Sequence, residues 1–152
     1  MKTLTLAILF RGDKILLAMK KRGFGVGKWN GYGGKLEGVE KPIDAIVREI
    51  EEESGLVVDR NLLKELGFID FYFDDKKEWD QRVIIYRLNK FTGEPIETEE
   101  MAPEFFDLDK IPYNDMWPAD SKWLPYVISG IKFSGEIHFS GTGERIFSCV
   151  IE

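Results

Sequence analysis

A single cysteine, Cys149, and a single histidine, His138, stand in a chain of 152 residues. One cysteine excludes an intrachain disulfide and is compatible with a reducing interior. The histidine falls in an expected C-terminal hairpin and is assigned no catalytic role. Long apolar runs are also missing. The stretch from Leu4 to Phe10 is too short to span a membrane and lacks the small-residue cleavage site of a signal peptide, so it reads as a strand. No low-complexity tract, repeat or linker interrupts the chain, which is therefore expected to form one domain over residues 1–152. A basic excess is absent as well. The net charge of −6 argues against a general binder of duplex nucleic acid, and no stable nucleic-acid or membrane partner is expected. A cytoplasmic monomer is the default expectation for such a composition, and a nuclear or organellar fraction is compatible with it.

Charge is unevenly distributed. From Lys14 to Lys35 there are Lys14, Lys20, Lys21, Arg22, Lys28 and Lys35 and no acid, a segment that would draw an anionic ligand. Residues 20–35 also carry six glycines in sixteen positions, enough to let backbone approach a ligand closely. Phe24, Trp29, Asn30 and Tyr32 argue against a flexible linker there.

The next stretch dominates the reading. Ile43, Ile46, Val47 and Ile50 recur at the spacing of one helical face, with Pro42 suited to the first turn and Gly55 to the C-cap. Glu49, Glu52 and Glu53 stack on another side of the same helix. Like charges so close either raise one another's pKa or collect a cation, and oxygen ligands suit hard Mg²⁺ or Mn²⁺. Arg48 can brace Glu52, whereas Glu51 points away. Around this helix, strands are expected at Thr3 to Phe10 and Lys14 to Met19 about the turn Arg11-Gly12-Asp13. Others are expected at Leu66 to Phe73 and Val83 to Leu88, around a polar turn from Asp74 to Asp80, and at Phe105 to Leu108. A second helix is expected from Asp120 to Ser129, and a closing hairpin from Ile131 to Phe139 and Arg145 to Val150. Strands before and after a helix, with a second helix late, give an α/β class: an α/β/α sandwich around a mixed sheet.

Gly34, Glu40, Arg48, Glu49, Ile50, Glu52, Glu53, Gly55 and Leu56 fill every fixed position of the pattern G-x5-E-x7-R-E-U-x-E-E-x-G-U, where U is a bulky aliphatic residue. On this motif the chain is identified as a member of the Nudix hydrolases, which implies the same sandwich fold. The stretches MKKRGFGVGKWNGYGGK, GEPIETEEM and IPYNDMWP resemble, within that family, the mammalian-type MutT homologues. The resemblance implies hydrolysis of oxidised purine nucleoside triphosphates such as 8-oxo-dGTP and 2-hydroxy-dATP. Attack at the β-phosphorus would release nucleoside monophosphate and pyrophosphate.

By the same resemblance, the Gly33 carbonyl with Glu49, Glu52, Glu53 and Glu100 would hold Mg²⁺ on the triphosphate. Glu53, then Glu100, would position or deprotonate the attacking water, Glu52 would belong to the catalytic set, and Lys20 would be the substrate cation. Thr5, Leu6, Phe24, Asn30, Phe71, Phe73, Met101, Trp117 and Asp120 would form the base pocket, with Asn30 and Asp120 reading polar edges and Trp117 stacking on the ring. Phe71, Phe73 and Met101 read equally well as core, and Asp120 also suits an N-cap.

The chain departs from the branch twice. Relatives usually read Trp-Pro-Asp-Asp where this chain has Trp117-Pro118-Ala119-Asp120, so one base-facing carboxylate is missing. A lost hydrogen bond to a charged partner costs roughly 1.5 to 3 kcal/mol, on the order of tenfold to a hundredfold in affinity. The loop also reads Glu37-Gly38-Val39-Glu40, with its glycine one residue earlier than usual, which would re-aim Glu40. Ala119 keeps a second reading open, a hydrolase of another nucleotide such as a methylated purine triphosphate or a dinucleotide. A nucleotide-binding module without turnover is the contrasting class.

Overall fold

Along the first strand, alternate side chains enter two different apolar layers, as they must in a strand covered on both faces. Ala7 and Leu9 pack with Leu16, Ala18, Tyr86 and Leu88, whereas Ile8 and Phe10 pack with Ile15, Leu17, Val83 and Ile85. The computed structural model describes residues 1–152. Its strands are β1 (Lys2–Arg11), β2 (Lys14–Lys20), β3 (Trp29–Asn30), β4 (Tyr32–Lys35), β5 (Lys64–Phe73), β6 (Gln81–Leu88), β7 (Met101–Asp107), β8 (Phe133–Ser140) and β9 (Arg145–Ile151). The helices are α1 (Pro42–Ser54) and α2 (Asp120–Ser129). The strands form one mixed sheet in the order β3-β2-β1-β6-β5-β8-β9, with β4 on β1 and β7 on β2. The β1–β6 and β5–β8 pairs are parallel.

Helix α1 covers one face through Ile46 and Ile50, with Ile43 and Val47 flanking them. Helix α2 covers the other through Trp123, Leu124 and Val127. This is the expected α/β/α sandwich. Gly55, left-handed at φ 76, ends α1 and donates its N–H to Glu51. No helix is long and apolar enough to cross a membrane.

The expected first hairpin holds only at its tip, from Leu9↔Leu16 to Arg11↔Lys14. There β2 leaves β1, and β4 takes its place, pairing Leu4↔Lys35 to Ala7↔Tyr32. Backbone contact at this exchange is too close for side chains. A Cβ on Gly31 would lie 2.3 Å from the Ala7 carbonyl oxygen, and one on Gly33 would lie 1.9 Å from that of Thr5. The glycines that suggested ligand approach in the sequence thus also serve strand packing. The divergence of β1 and β2 opens the sheet where the site lies.

Strand β7 starts at Met101 rather than Phe105 and pairs along β2 from Lys14↔Asp107 to Lys20↔Met101. Pro103 lies inside this strand. It is tolerated because β7 has a partner on one side only, so its missing N–H removes no bond from a second neighbour.

Candidate active site

Helix α1 turns its acidic side toward β4. Glu53 is buried, at 5% exposure, and accepts the Gly33 N–H at 2.9 Å. Burial pushes its carboxyl up to about 8, against the Gly33 bond, with Glu49 adding repulsion. The Glu49 carboxylate lies against Gly34, where even a methyl group would come within 2.7 Å of it. Burial raises Glu49 as well, opposed by Arg48. Glu52, by contrast, has its side chain 56% exposed and meets only Arg48.

Arg48 does more than brace Glu52. Its guanidinium donates to Glu40, Glu49 and Glu52 at 2.8 to 3.2 Å and to the Lys35 carbonyl. The displaced glycine, Gly38, is left-handed at φ 55, and the Glu40 N–H closes a turn onto the Glu37 carbonyl. That turn aims Glu40 at Arg48, which together with the Glu37 N–H holds its carboxyl down to about 2.

Where β2 ends, the basic and acidic runs of the sequence meet. Lys20 donates to Glu100 at 3.1 Å, Arg22 contacts the same carboxylate through Nε and Nη2, and Lys21 contacts Glu97 and the Thr98 carbonyl. Arg22 and then Lys20 hold Glu100 below the usual carboxylate range. Lys14 pairs with Asp107. The stretch that lacks acids in sequence is therefore largely neutralised in space. Glu100 is joined to these cations, not to the carboxylates of α1.

A cavity of about 230 Å³ opens at the β1–β2 divergence. Thr5, Leu6, Lys20, Phe24, Asn30, Phe71, Phe73, Met101, Trp117 and Asp120 all line it, with Gly33 and Glu53. Glu49, Glu52 and Glu100 lie outside its wall. Phe73 and Met101 are core and cavity at once, each 2% exposed. Thr5 is buried and donates to the Gly34 carbonyl. Asn30 accepts the Gly31 N–H at 2.8 Å through its side-chain oxygen, leaving its amide hydrogens free.

One expectation for the chamber is corrected. The N-cap of α2 is Ala119, without a side-chain bond, because Asp120 already sits in the first turn. Asp120 Oδ1 instead accepts the Trp123 indole N–H at 3.1 Å, while Oδ2 is buried without a partner. Burial pushes this carboxyl up to about 7. Trp117 is already stacked, on Phe24 at 5.1 Å and 25°, with Lys28 at 5.1 Å over its ring. Phe24 is 45% exposed and stands among Gly23, Gly25 and Gly27, all at positive φ.

Two residues escaped the sequence reading. Trp79 contacts Phe24 edge to face at 4.9 Å, from a stretch read only as a polar turn. Gln81 lines the cavity from the start of β6, at a position that the apolar alternation of Val83 and Ile85 could have flagged.

Residues 2–127 match the NUDIX domain family. The chain belongs to the Nudix family. It is 45% identical over 92% of its length to the oxidized purine nucleoside triphosphate hydrolase of Danio rerio, covering 88% of that protein. It is 44% identical over 89% of its length to the protein of the same name from Mus musculus, covering 85% of it. A MutT protein from Bacillus halodurans has the same fold, with a TM-score of 0.87, 22% identity and coverage of 100% of this chain and 98% of that one.

Nudix hydrolases typically use divalent metal ions, and the donors here are of the right kind: carboxylates and a backbone carbonyl, all hard oxygen. No three His, Cys, Asp or Glu side chains are yet arranged to hold an ion. Arg48 compensates Glu49 and Glu52, and Arg22 with Lys20 compensates Glu100. Glu53, buried between like charges without a cation of its own in contact, is the carboxylate that a metal would relieve most.

Proposed function

We propose that this Nudix chain hydrolyses oxidised purine nucleoside triphosphates, of the 8-oxo-dGTP and 2-hydroxy-dATP type, to the monophosphate and pyrophosphate with Mg²⁺. One observation carries the reading: a single cavity joins an aromatic chamber containing the buried, half-paired Asp120 to the buried Glu53 and to Lys20. A purine needs apolar surface for its faces and polar groups for its edges, while its phosphates need cations. The relatives bearing that activity in their names support the same substrate class.

The Gly33 carbonyl, Glu49, Glu52, Glu53 and Glu100 would hold the metal. Bound there, Mg²⁺ would offset triphosphate charge and make phosphorus more electrophilic. The chain's own residues do the rest. Lys20 exchanges its bond to Glu100 Oε2 for a phosphate oxygen, freeing that oxygen while Arg22 keeps the other. Glu53, with Glu100 as the alternative, orients the attacking water. Phe24 gives up the face of Trp117 to the base, and Asn30 and Asp120 read its edge.

Ala119 favours a second reading. It is fully buried in the apolar layer beside Asp120 and does not line the cavity itself. No second carboxylate is therefore present next to Asp120, which leaves a methylated purine open as the substrate. Pyrophosphate release with Mg²⁺ from 8-oxo-dGTP, 2-hydroxy-dATP, a methylated dATP and the normal triphosphates separates the two, using wild type and Ala119→Asp. The expected outcome is preference for the oxidised purines, changed about tenfold or more by the new carboxylate. If oxidised purines are hydrolysed no faster than their normal counterparts by both proteins, the substrate class is wrong.

A further inference from the structure

Gln81 is out of place for a core strand. It precedes Val83 and Ile85 on the face of β6 that packs toward α2, where the alternation calls for apolar side chains, and it is only 6% exposed. A buried amide is costly unless its polar atoms are paired. Its one side-chain bond runs from Nε2 to the Trp79 carbonyl at 2.8 Å. That bond also fixes which way the amide points, since a carbonyl can only accept and the NH₂ end must face it. The Oε1 end is thereby left with no protein donor, on a side chain that lines the cavity.

The other polar groups of the chamber are committed differently. The Asn30 oxygen is taken by Gly31, so that amide offers donors. Asp120 has one oxygen on Trp123 and one without a partner. Gln81 therefore adds an oriented, neutral acceptor to a chamber whose remaining walls include Leu4, Phe71, Val83 and Phe139. Trp79 holds that acceptor through its carbonyl while its ring meets Phe24, so the residue that orients Gln81 also supports the ring stacked on Trp117.

We propose that Gln81 is a specificity-determining residue of the base chamber, its Oε1 accepting a hydrogen bond from an N–H of the bound purine. This rests on the chamber binding a purine base, as in the function proposed above. Oxidation at C8 converts the N7 acceptor of guanine into an N–H, so an acceptor fixed in the chamber distinguishes a base carrying that N–H from one presenting a lone pair.

The test is Gln81→Met, which keeps length and loses both polar ends, measured by initial rates with Mg²⁺ on 8-oxo-dGTP, dGTP, 2-hydroxy-dATP and dATP. Equilibrium binding of the corresponding monophosphates in metal-free buffer is measured in parallel. Expected are a KM for the preferred purine at least about tenfold higher, kcat within about twofold, a matching loss of monophosphate affinity, and a narrower ratio between that purine and its competitor. Gln81→Leu, measured the same way, guards against poor folding of the first variant. A lower thermal midpoint with unchanged KM, or an equal loss on all four nucleotides, overturns the proposal by assigning Gln81 to packing alone. A wild type that prefers an unmodified purine overturns the oxidised-substrate reading instead, and Gln81 is then judged on that purine's KM.

Discussion

Acids on the α1 face and in the aromatic chamber meet the same difficulty and resolve it in opposite ways. Beside α1, Arg48 reaches Glu40, Glu49 and Glu52 together; it helps hold Glu40 down to about 2 and opposes the burial that raises Glu49. In the chamber, Asp120 has no cation in contact, and burial raises it to about 7, so it is neutral through the acidic range. A wet half compensates charge with charge, and a dry half removes it by protonation. The two halves suit the two ends of a nucleotide: ion pairs can be exchanged for phosphates, whereas a dry polar edge can select a base. Glu53 stands between them, buried like Asp120 yet on the anionic helix.

Replacing that boundary residue should separate the halves most sharply. In Glu53→Gln the Gly33 N–H keeps an acceptor, so β4 and α1 stay together. Pyrophosphate release is expected to fall about 10³-fold, within the range for loss of a positioned acid or base. Affinity for a nucleoside monophosphate in metal-free buffer should stay within about twofold. Retention of more than about a tenth of wild-type turnover would remove Glu53 from the chemistry.

Legibility in the sequence follows the same division. Glu49, Glu52 and Glu53 lie on one helix, so spacing alone placed them together, and Arg48 was recognisable as a partner at four residues' distance. The chamber draws on β1, β3, β5, β6, β7 and α2, whose meeting depends on the parallel β1–β6 and β5–β8 pairs. No local periodicity encodes such pairs, and family resemblance supplied those residues. Trp79 and Gln81 belonged to neither source. One lies in a turn that looked merely polar, and the other is an amide in a strand where only the break in alternation marks it. The basic segment shows the converse limit: the ion pairs of Lys20, Lys21 and Arg22 were not legible, because Glu97 and Glu100 are distant in sequence.

The dry half can be tested through stability. An unfolded Asp120 ionises near 3.8, whereas the folded one holds its proton to about 7. Between those values the folded state binds more protons, so Asp120 makes stability fall as pH rises from about 4 to about 7 and then level off. At roughly 1.4 kcal/mol per pH unit the full change is on the order of 4 kcal/mol. Asp120→Asn should flatten that part of the curve in urea unfolding, because the amide does not titrate and its oxygen can still accept from Trp123. An unchanged slope would mean that Asp120 is ionised in the folded chamber.

Glu40 sharpens the comparison from the wet side, with the smallest effect. It lies outside the cavity wall, and its carboxylate is spent on Arg48 and on the Glu37 N–H. In Glu40→Gln the turn can keep its bond to Glu37, but the charge opposite Arg48 is gone. Arg48 should then draw closer to Glu49 and Glu52 and compete with Mg²⁺ for them. The expected result is a Mg²⁺ concentration for half-maximal rate about tenfold higher, as for loss of a group that supports metal ligands, with the saturated rate and the nucleotide preference unchanged. If base preference moves while the Mg²⁺ requirement does not, the two halves are coupled through the Glu37 turn and cannot be treated as separate devices.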